Sequence, residues 1–121
     1  MERIGPILET AVRFFTEDDW RFTRIEGKPI LSLPCSGHHG NWQCWAEARE
    51  EQQQFIFYSV CPVKVPEGKR PIVAEYLTRA NYGLVIGNFE LDFRDGEVRY
   101  KTSIDVEDAE LTPALVKNLV Y

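Results

Sequence analysis

The sequence predicts an α+β domain built from antiparallel strands. Three segments carry apolar residues at the spacing of an amphipathic helix, and the segments between them include runs with the alternation of half-buried strands. Hairpin turns join strand-like segments in both halves of the chain, as expected of antiparallel pairs. The predicted order of elements is α-β-β-β-α-β-β-α, in which helices and strands are segregated as in other α+β domains.

Length and composition restrict the classes of function. With 121 residues the chain has the length of one domain, which we take to span 1–121. A net charge of −5 and a pI of about 5.0 disfavour contact with a phosphate backbone, so no nucleic-acid partner is expected. No apolar run approaches the ~20 residues that cross a bilayer, so no membrane partner is expected. The odd number of cysteines, three, argues against a secreted disulfide framework and favours the cytoplasm.

The first half of the chain begins with a helix and continues with strands. Apolar residues at helical spacing predict a helix over 6–16. From Trp20 the period changes to two, which predicts a strand that is interrupted at Glu26–Pro29 and resumes over Ile30–Leu33. The glycine-rich, polar run Ser36–Asn41 predicts a loop.

The next two strands are predicted from alternation and from a continuous apolar run. Small or apolar residues at 42, 44, 46 and 48 predict one buried face. Trp45 falls on the opposite, polar side, where an exposed aromatic suits a partner surface or a covering helix. A turn at Glu50-Glu51-Gln52 leads to Phe55–Val60, which is apolar on both faces and is therefore expected in the middle of the sheet.

A second helix follows an extended connection. Two prolines make Pro62–Pro66 stiff, and a helix is predicted from Lys69 to Tyr82, with Gly83 as its left-handed cap. Its predicted apolar stripe consists of Ile72, Val73, Tyr76, Leu77 and Ala80.

The run Asn88–Ser103 predicts a hairpin with a strongly specified register. Asp95-Gly96 suits a two-residue type I′ turn, in which both positions need a positive φ. The apolar pairs about that turn are Phe93–Val98, Leu91–Tyr100 and Phe89–Thr102. The charged pairs are Arg94–Glu97, Asp92–Arg99 and Glu90–Lys101. One face is thus expected on the core and the other in water.

The last predicted helix lacks an obvious end. Thr112-Pro113 reads as its N-cap and first residue, and its stripe consists of Ala114, Leu115, Asn118 and Leu119. It stops at Tyr121 without a capping residue, so we expect either a truncated helix or a second chain that supplies the missing packing. We therefore predict Trp45, Leu115 and Leu119 as protein-binding residues, and a homodimer as one way of covering them.

The strongest candidate for metal chemistry is the group Cys35, His38, His39 and Cys44. Two thiolates and two imidazoles would suit tetrahedral zinc, but Cys44 alternates with core residues and a single turn carries the set. An ordinary polar loop is the competing interpretation. A Cys35–Cys44 disulfide is compatible with the hairpin, although a reducing compartment disfavours it. We predict no bound metal and no cofactor.

No arrangement of residues indicates an enzyme. Gly83-x3-Gly87 lacks the lysine of a phosphate-binding loop and lies between a helix and a strand. Cys61 has no histidine or lysine assigned beside it to activate its thiol. No Gly-x-Ser-x-Gly elbow and no calcium loop occur. The expectation is therefore a non-catalytic domain.

The second half of the chain, from about Gln52 to the end, contains an ordered series of distinctive runs. The runs are Pro62-Val63-Lys64-Val65-Pro66, Asn81-Tyr82-Gly83-Leu84, Gly87-Asn88-Phe89-Glu90-Leu91-Asp92, Asp95-Gly96-Glu97-Val98-Arg99-Tyr100 and Leu111-Thr112-Pro113. As an ordered series, these runs resemble the YbjN family of bacterial proteins.

The resemblance implies both a fold and a class of function. The family fold is similar to type III secretion chaperones, with a twisted antiparallel sheet and helices mainly on one face. Its members are described as sensory-transduction regulators without established catalytic residues, and they usually continue beyond the point that matches Tyr121. We therefore expect a non-catalytic protein-binding domain, chaperone-like or regulatory. The alternative is a small-molecule or metal-binding sensor that uses Cys35, His38, His39 and Cys44.

Overall fold

The structure is a computed structural model that describes residues 5–37 and 40–121. Its helices are α1 (Pro6–Glu17), α2 (Arg70–Asn81, preceded by the 3-10 turn Glu67–Lys69) and α3 (Pro113–Val120). Its strands are β1 (Thr23–Arg24), β2 (Ile30–Gly37), β3 (Gly40–Arg49), β4 (Gln54–Val60), β5 (Asn88–Leu91) and β6 (Val98–Asp105). The predicted α+β class is therefore confirmed.

The described strands form one antiparallel sheet in the order β1-β2-β3-β4-β6-β5. The doubly apolar strand β4 lies in the middle, as its sequence predicts. Helices α1 and α3 contact each other and cover one face of the sheet, whereas α2 packs beside the edge strand β5. The core between α1, α3 and the sheet is formed by fully buried side chains, the largest of which are Phe15, Phe55, Leu31, Leu33 and Val116.

The first strands depart from the prediction of one interrupted strand. The chain reverses over 25–29, so that β1 and β2 pair with each other, with Thr23 opposite Ser32. Gly27, with a φ of +74°, supplies the turn conformation that the reversal needs. Residues 36, 37, 40 and 41 of the predicted loop Ser36–Asn41 belong instead to strands, because β2 extends to Gly37 and β3 begins at Gly40.

Helix α1 is anchored at its N-terminus by a side chain from the turn between β3 and β4. The carboxylate of Glu50 accepts hydrogen bonds from the backbone N–H groups of Ile7 (3.1 Å) and Leu8 (2.9 Å). These N–H groups belong to the first turn of the helix, where no intrahelical acceptor exists, and a negative charge there also opposes the positive end of the helix dipole.

Replacing Glu50 with alanine is expected to lower the free energy of unfolding by about 1–2 kcal/mol, the usual cost of losing a helix cap. The matched control is Glu51→Ala in the same exposed turn, which should change stability by less than about 0.5 kcal/mol. Chemical denaturation measures both, and equal losses would show that the Glu50 carboxylate does not cap α1.

The hairpin of β5 and β6 has the predicted faces but a different register. The observed pairs are Asn88–Lys101, Phe89–Tyr100, Glu90–Arg99 and Leu91–Val98, a shift of two residues from the prediction. Because the side-chain period of a strand is two, this shift leaves the apolar and charged faces unchanged.

The turn of this hairpin explains the shift. Its loop is closed by a hydrogen bond from the Asp92 N–H to the Glu97 carbonyl (2.9 Å), which leaves four residues in the loop instead of two. The Asp95 carboxylate accepts a bond from the Glu97 N–H, a local turn that competes with type I′ geometry. Only Gly96 of the predicted turn pair has a positive φ, +82°.

The charged face of the hairpin also has altered partners. Glu90 bonds both Arg99 (2.6 Å) and Lys101 (3.0 Å), so the predicted contact with Lys101 exists but is diagonal. Asp92 pairs with Arg94, not with Arg99. The guanidinium and the backbone N–H of Arg94 lower the pKa of Asp92 from 3.8 to about 2.

The depressed pKa of Asp92 predicts a pH-dependent effect of Asp92→Asn. Because folding favours the ionised carboxyl, its contribution is fully present above the ordinary pKa of 3.8 and is lost as the pH falls toward 2. The variant should therefore be less stable than the wild type near neutrality, and the difference should shrink steadily as the pH falls from about 4 toward 2. Denaturation at several pH values measures this, and a difference that does not change with pH would contradict it.

Helix α3 begins as predicted but buries a different stripe. The Thr112 side chain accepts a hydrogen bond from the Leu115 N–H (3.2 Å), which confirms the N-cap. Val116 is completely buried, while Ala114 and Asn118 of the predicted stripe are exposed. The helix thus contacts the core through Val116, with Leu119 beside it.

Candidate protein-binding surface

Helix α2 exposes much of the apolar stripe that its sequence predicts as buried. Leu77 is its buried residue, whereas Ile72 and Tyr76, one turn apart, are 70% and 71% exposed. The prediction of a buried stripe is therefore wrong for these two positions. The periodicity correctly indicates a two-sided helix, but the sheet covers only the side that carries Leu77.

The loop after α2 continues this exposed apolar character. Tyr82 is 92% exposed and Val85 is 95% exposed, and Leu84 and Ile86 are also exposed. Gly83 has a φ of +97°, which ends the helix as predicted and turns the chain into this loop. We call Ile72, Tyr76, Tyr82, Leu84, Val85 and Ile86 together the α2 surface.

Polar contacts hold the α2 surface in place on the edge of the sheet. The Asn81 side chain accepts a hydrogen bond from the Phe89 N–H (2.7 Å) and donates one to the Phe89 carbonyl (3.0 Å). The Tyr100 hydroxyl donates to the carbonyl of Ile86. The end of α2 and the loop are therefore both fixed to the β5–β6 hairpin.

The start of α2 is tied to the same hairpin. The Arg70 guanidinium donates to the carbonyls of Val65 (3.1 Å) and Phe93 (3.0 Å), and the Val65 N–H donates to the Gly96 carbonyl (2.8 Å). These contacts leave Ile72 and Tyr76 facing outward. Helix α2 therefore presents its exposed apolar side chains from a backbone that is fixed at both ends.

Trp45 lies in a separate groove on the face of the sheet opposite α1 and α3. It is opposite Ser32 on one neighbouring strand and Tyr58 on the other, and the groove has a volume of about 570 Å³. Arg99 lies over the Tyr58 ring, 4.2 Å from its centre. The groove thus combines aromatic side chains with a cation at its rim.

The other predicted binding residues are not brought together with Trp45. Leu115 and Leu119 lie on α3 and pack, partly buried, against the core on the helical side of the sheet. The sheet therefore separates them from Trp45, and one partner surface cannot include all three. That each of them binds a protein stays a prediction.

The cysteines of the predicted metal group are close to each other. The sulfur atoms of Cys35 and Cys44 are 3.1 Å apart, and both cysteines are free. His38 and His39 lie outside the described residues. Within 5–37 and 40–121, no group of three or more His, Cys, Asp or Glu residues could hold a metal ion.

The carboxylate of Asp18 also makes contacts that the sequence does not indicate. It accepts hydrogen bonds from the Trp20 indole N–H (2.9 Å) and from the Tyr121 hydroxyl (2.5 Å). These bonds, the Tyr121 bond first, lower the pKa of Asp18. They join the end of α1 to the end of α3, so we interpret this acidic turn as structural.

The exposed loop could have been singled out from one signal in the sequence. Leu84-Val85-Ile86 is an apolar run between two glycines, and neither helical nor strand periodicity assigns it a buried face. The exposure of Ile72 and Tyr76 has no comparable signal, because a helix of the same sequence could have been covered by another element.

None of the helices in the described part of the chain has the length and hydrophobicity of a membrane span. A family model for YbjN, described as "Putative bacterial sensory transduction regulator", matches residues 10–121. A search of curated proteins found no match.

A solved structure has the same fold. It is the crystal structure of YbjN from E. coli, described as "a putative transcription regulator", with a TM-score of 0.69 and 14% identity over 93% of this chain and 79% of that chain. At this identity the likeness shows the fold alone, and it supports the α+β arrangement of one antiparallel sheet with three helices described above.

Proposed function

Because the chain belongs to the YbjN family, we propose that it is a non-catalytic regulatory domain that binds another protein through the α2 surface. The observation that carries the proposal is the pair Ile72 and Tyr76, large apolar side chains that are 70% and 71% exposed on a helix held at both ends. The description of the family as a regulator supports a role in control instead of catalysis.

The energetics of exposure favour a partner. Burying a large apolar side chain contributes about 1.5–3 kcal/mol, so covering several of them supplies much of the binding energy of a small interface. Contiguous apolar patches on soluble domains commonly mark interaction sites. Residues one turn apart on a helix form the usual anchor pattern for a helix that enters a groove.

The polar surroundings of the anchors also suit an interface. Glu75 and Arg79 form an exposed ion pair (2.9 Å) on the same helix. An apolar centre with a charged rim is the common anatomy of a binding surface. The partner is therefore expected to present an apolar groove with polar edges, and a second copy of this chain is one candidate.

Crosslinking from a single position tests the proposal. A photoreactive phenylalanine derivative at position 76 should crosslink to a defined protein in the host cell, and Ile72→Glu in the same chain should abolish the product. Thr78→Glu adds the same charge to an exposed position of α2 and should leave the product unchanged. Equal crosslinking with and without Ile72→Glu would overturn the proposal.

Sedimentation separates self-association from binding to a different protein. If the partner is a second copy, the wild type should sediment as a dimer and Ile72→Glu as a monomer. Trp45→Ser tests the groove on the opposite face of the sheet in the same way. A dimer that responds to Trp45→Ser but not to Ile72→Glu would move the interface to that groove, against the proposal.

A sensor for a metal or a small molecule is the second candidate function, and the contact between Cys35 and Cys44 favours it. Two sulfur atoms 3.1 Å apart could be ligands for a soft metal ion. Elemental analysis of the purified protein tests this function: stoichiometric zinc would support it, and metal-free protein of unchanged stability would count against it.

A further inference from the structure

Cys35 and Cys44 meet on the helical face of the sheet, and the pair Pro34–Gln43 lies between the two strand pairs that contain them. Cys35 is opposite Trp42 and Cys44 is opposite Leu33, so the two cysteines are diagonal neighbours on adjacent strands. Their side chains turn toward each other until the sulfur atoms are 3.1 Å apart, with the Cys35 thiol as donor. This distance is a contact between two thiols, not a covalent bond.

The two thiols differ in access. Cys44 is 2% exposed and also contacts the Ser59 hydroxyl (3.4 Å), whereas Cys35 is half-buried. Ser59 in turn lines an apolar groove of about 290 Å³ with Trp42 and Cys61. Neither Cys35 nor Cys44 lines this groove, so a small reagent reaches the pair through Cys35, the more exposed of the two residues.

We propose that Cys35 and Cys44 form a reversible dithiol site whose co-substrate is a small-molecule disulfide. The Cys35 thiolate attacks one sulfur of the co-substrate, breaks its S–S bond and releases one thiol. The Cys44 thiolate then attacks Cys35 in the mixed disulfide and releases the second thiol. The protein loses two protons and two electrons, and the co-substrate is reduced to two thiols.

The environment makes this site slow at neutral pH. Burial, with the hydrogen bond to Cys44 as the second cause, raises the pKa of Cys35 to about 12. Since only the thiolate attacks, the rate of oxidation should rise about tenfold per pH unit between about pH 7 and 9.

Oxidation with glutathione disulfide tests the proposal on the whole chain carrying Cys61→Ala, which removes the third cysteine. Both remaining thiols should disappear, and the mass of the denatured protein should remain that of one chain, without a covalent dimer. No lysine or arginine lies between 35 and 44, so trypsin leaves both cysteines in one peptide. Chymotrypsin, which cleaves after Trp42, should give two fragments joined by the disulfide.

The control is Cys44→Ala with Cys61→Ala, in which Cys35 should accumulate a glutathione adduct because no second thiol resolves it. The same adduct in the presence of Cys44 would overturn the proposal, as would two thiols that stay free under strongly oxidising conditions. Wild-type protein, mapped in parallel, covers the case in which a variant does not fold. A bond from Cys61 to either cysteine there would also contradict the assignment.

Discussion

Phe15→Ala is expected to lower the free energy of unfolding by about 3–5 kcal/mol, the cost of removing a large aromatic side chain from a core. The Phe15 ring is completely buried. It contacts the rings of Phe14, Trp20, Phe22 and Phe57, with centres 5.2, 5.4, 6.3 and 6.2 Å away. One substitution therefore removes packing from α1, the turn after it and the central strand together.

Phe93→Ala is the matched control, because the same substitution is made at a ring that is 55% exposed. Its effect should be below about 1 kcal/mol. Phe15→Leu keeps most of the volume and should lose less than Phe15→Ala. Denaturant unfolding measures all three, and similar losses for Phe15→Ala and Phe93→Ala would show that Phe15 is not the centre of the core.

Gly96→Ala is expected to destabilise the domain by about 2–4 kcal/mol, from the strain of a positive φ together with overpacking. Gly96 has a φ of +82°, and a Cβ placed there would lie 2.2 Å from the Val65 carbonyl oxygen and 2.9 Å from the Val65 nitrogen. The Val65 N–H donates to the Gly96 carbonyl, so neither backbone can withdraw without losing that bond. Gly96→Val should be at least as damaging.

Two other glycines separate strain from close packing. Gly83 has a φ of +97° with no atom within 4 Å of an added Cβ, so Gly83→Ala should show strain alone, about 1–2 kcal/mol. An added Cβ at Gly68 also meets nothing within 4 Å, and its φ is not in the left-handed region, so Gly68→Ala should change little. Equal losses at Gly96 and Gly83 would show that the contact with Val65 costs nothing.

The sequence alone predicts a helix or strand correctly where the pattern of apolar residues within that element determines which of its faces is buried. Helix α1 shows this, because its apolar residues all lie in the core or pack against it. Strand β4 shows it on both faces, with Phe55 and Phe57 in the core and Tyr58 in the groove on the opposite face. The charged and apolar faces of the hairpin were also predictable, since a strand has a period of two. Its register was not, because the Asp95 side chain bonds the backbone and changes the loop.

The remaining features depend on contacts between distant parts of the chain. Glu50 caps α1 across 42 and 43 residues, and no local pattern indicates such a bond. The exposure of Ile72 and Tyr76 depends on which elements fail to cover α2, so the α2 surface was missed. The position of Trp45 away from the core was predictable from alternation alone.

The segment that carries the α2 surface leaves the sheet and returns to it at neighbouring points. The Cys61 N–H, just after β4, donates to the carbonyl of Val98, at the start of β6 (2.8 Å). Residues 62–97 contribute one strand to the sheet, β5. Its four paired residues all pair with β6, and β5 is the edge strand. Residues 62–97 can therefore unfold locally, by breaking the pairing between β5 and β6, while β1–β4, β6, α1 and α3 stay folded.

Backbone amides of α2 should consequently exchange with deuterated water faster than those of β4, and equal protection would exclude a separate opening. A protein bound to α2 would stabilise the folded state of residues 62–97 and slow the exchange of their backbone amides. Binding to the α2 surface and local unfolding of residues 62–97 are then coupled, because the partner binds the folded segment. Any proteolytic cleavage that starts in this segment would be suppressed by the same partner.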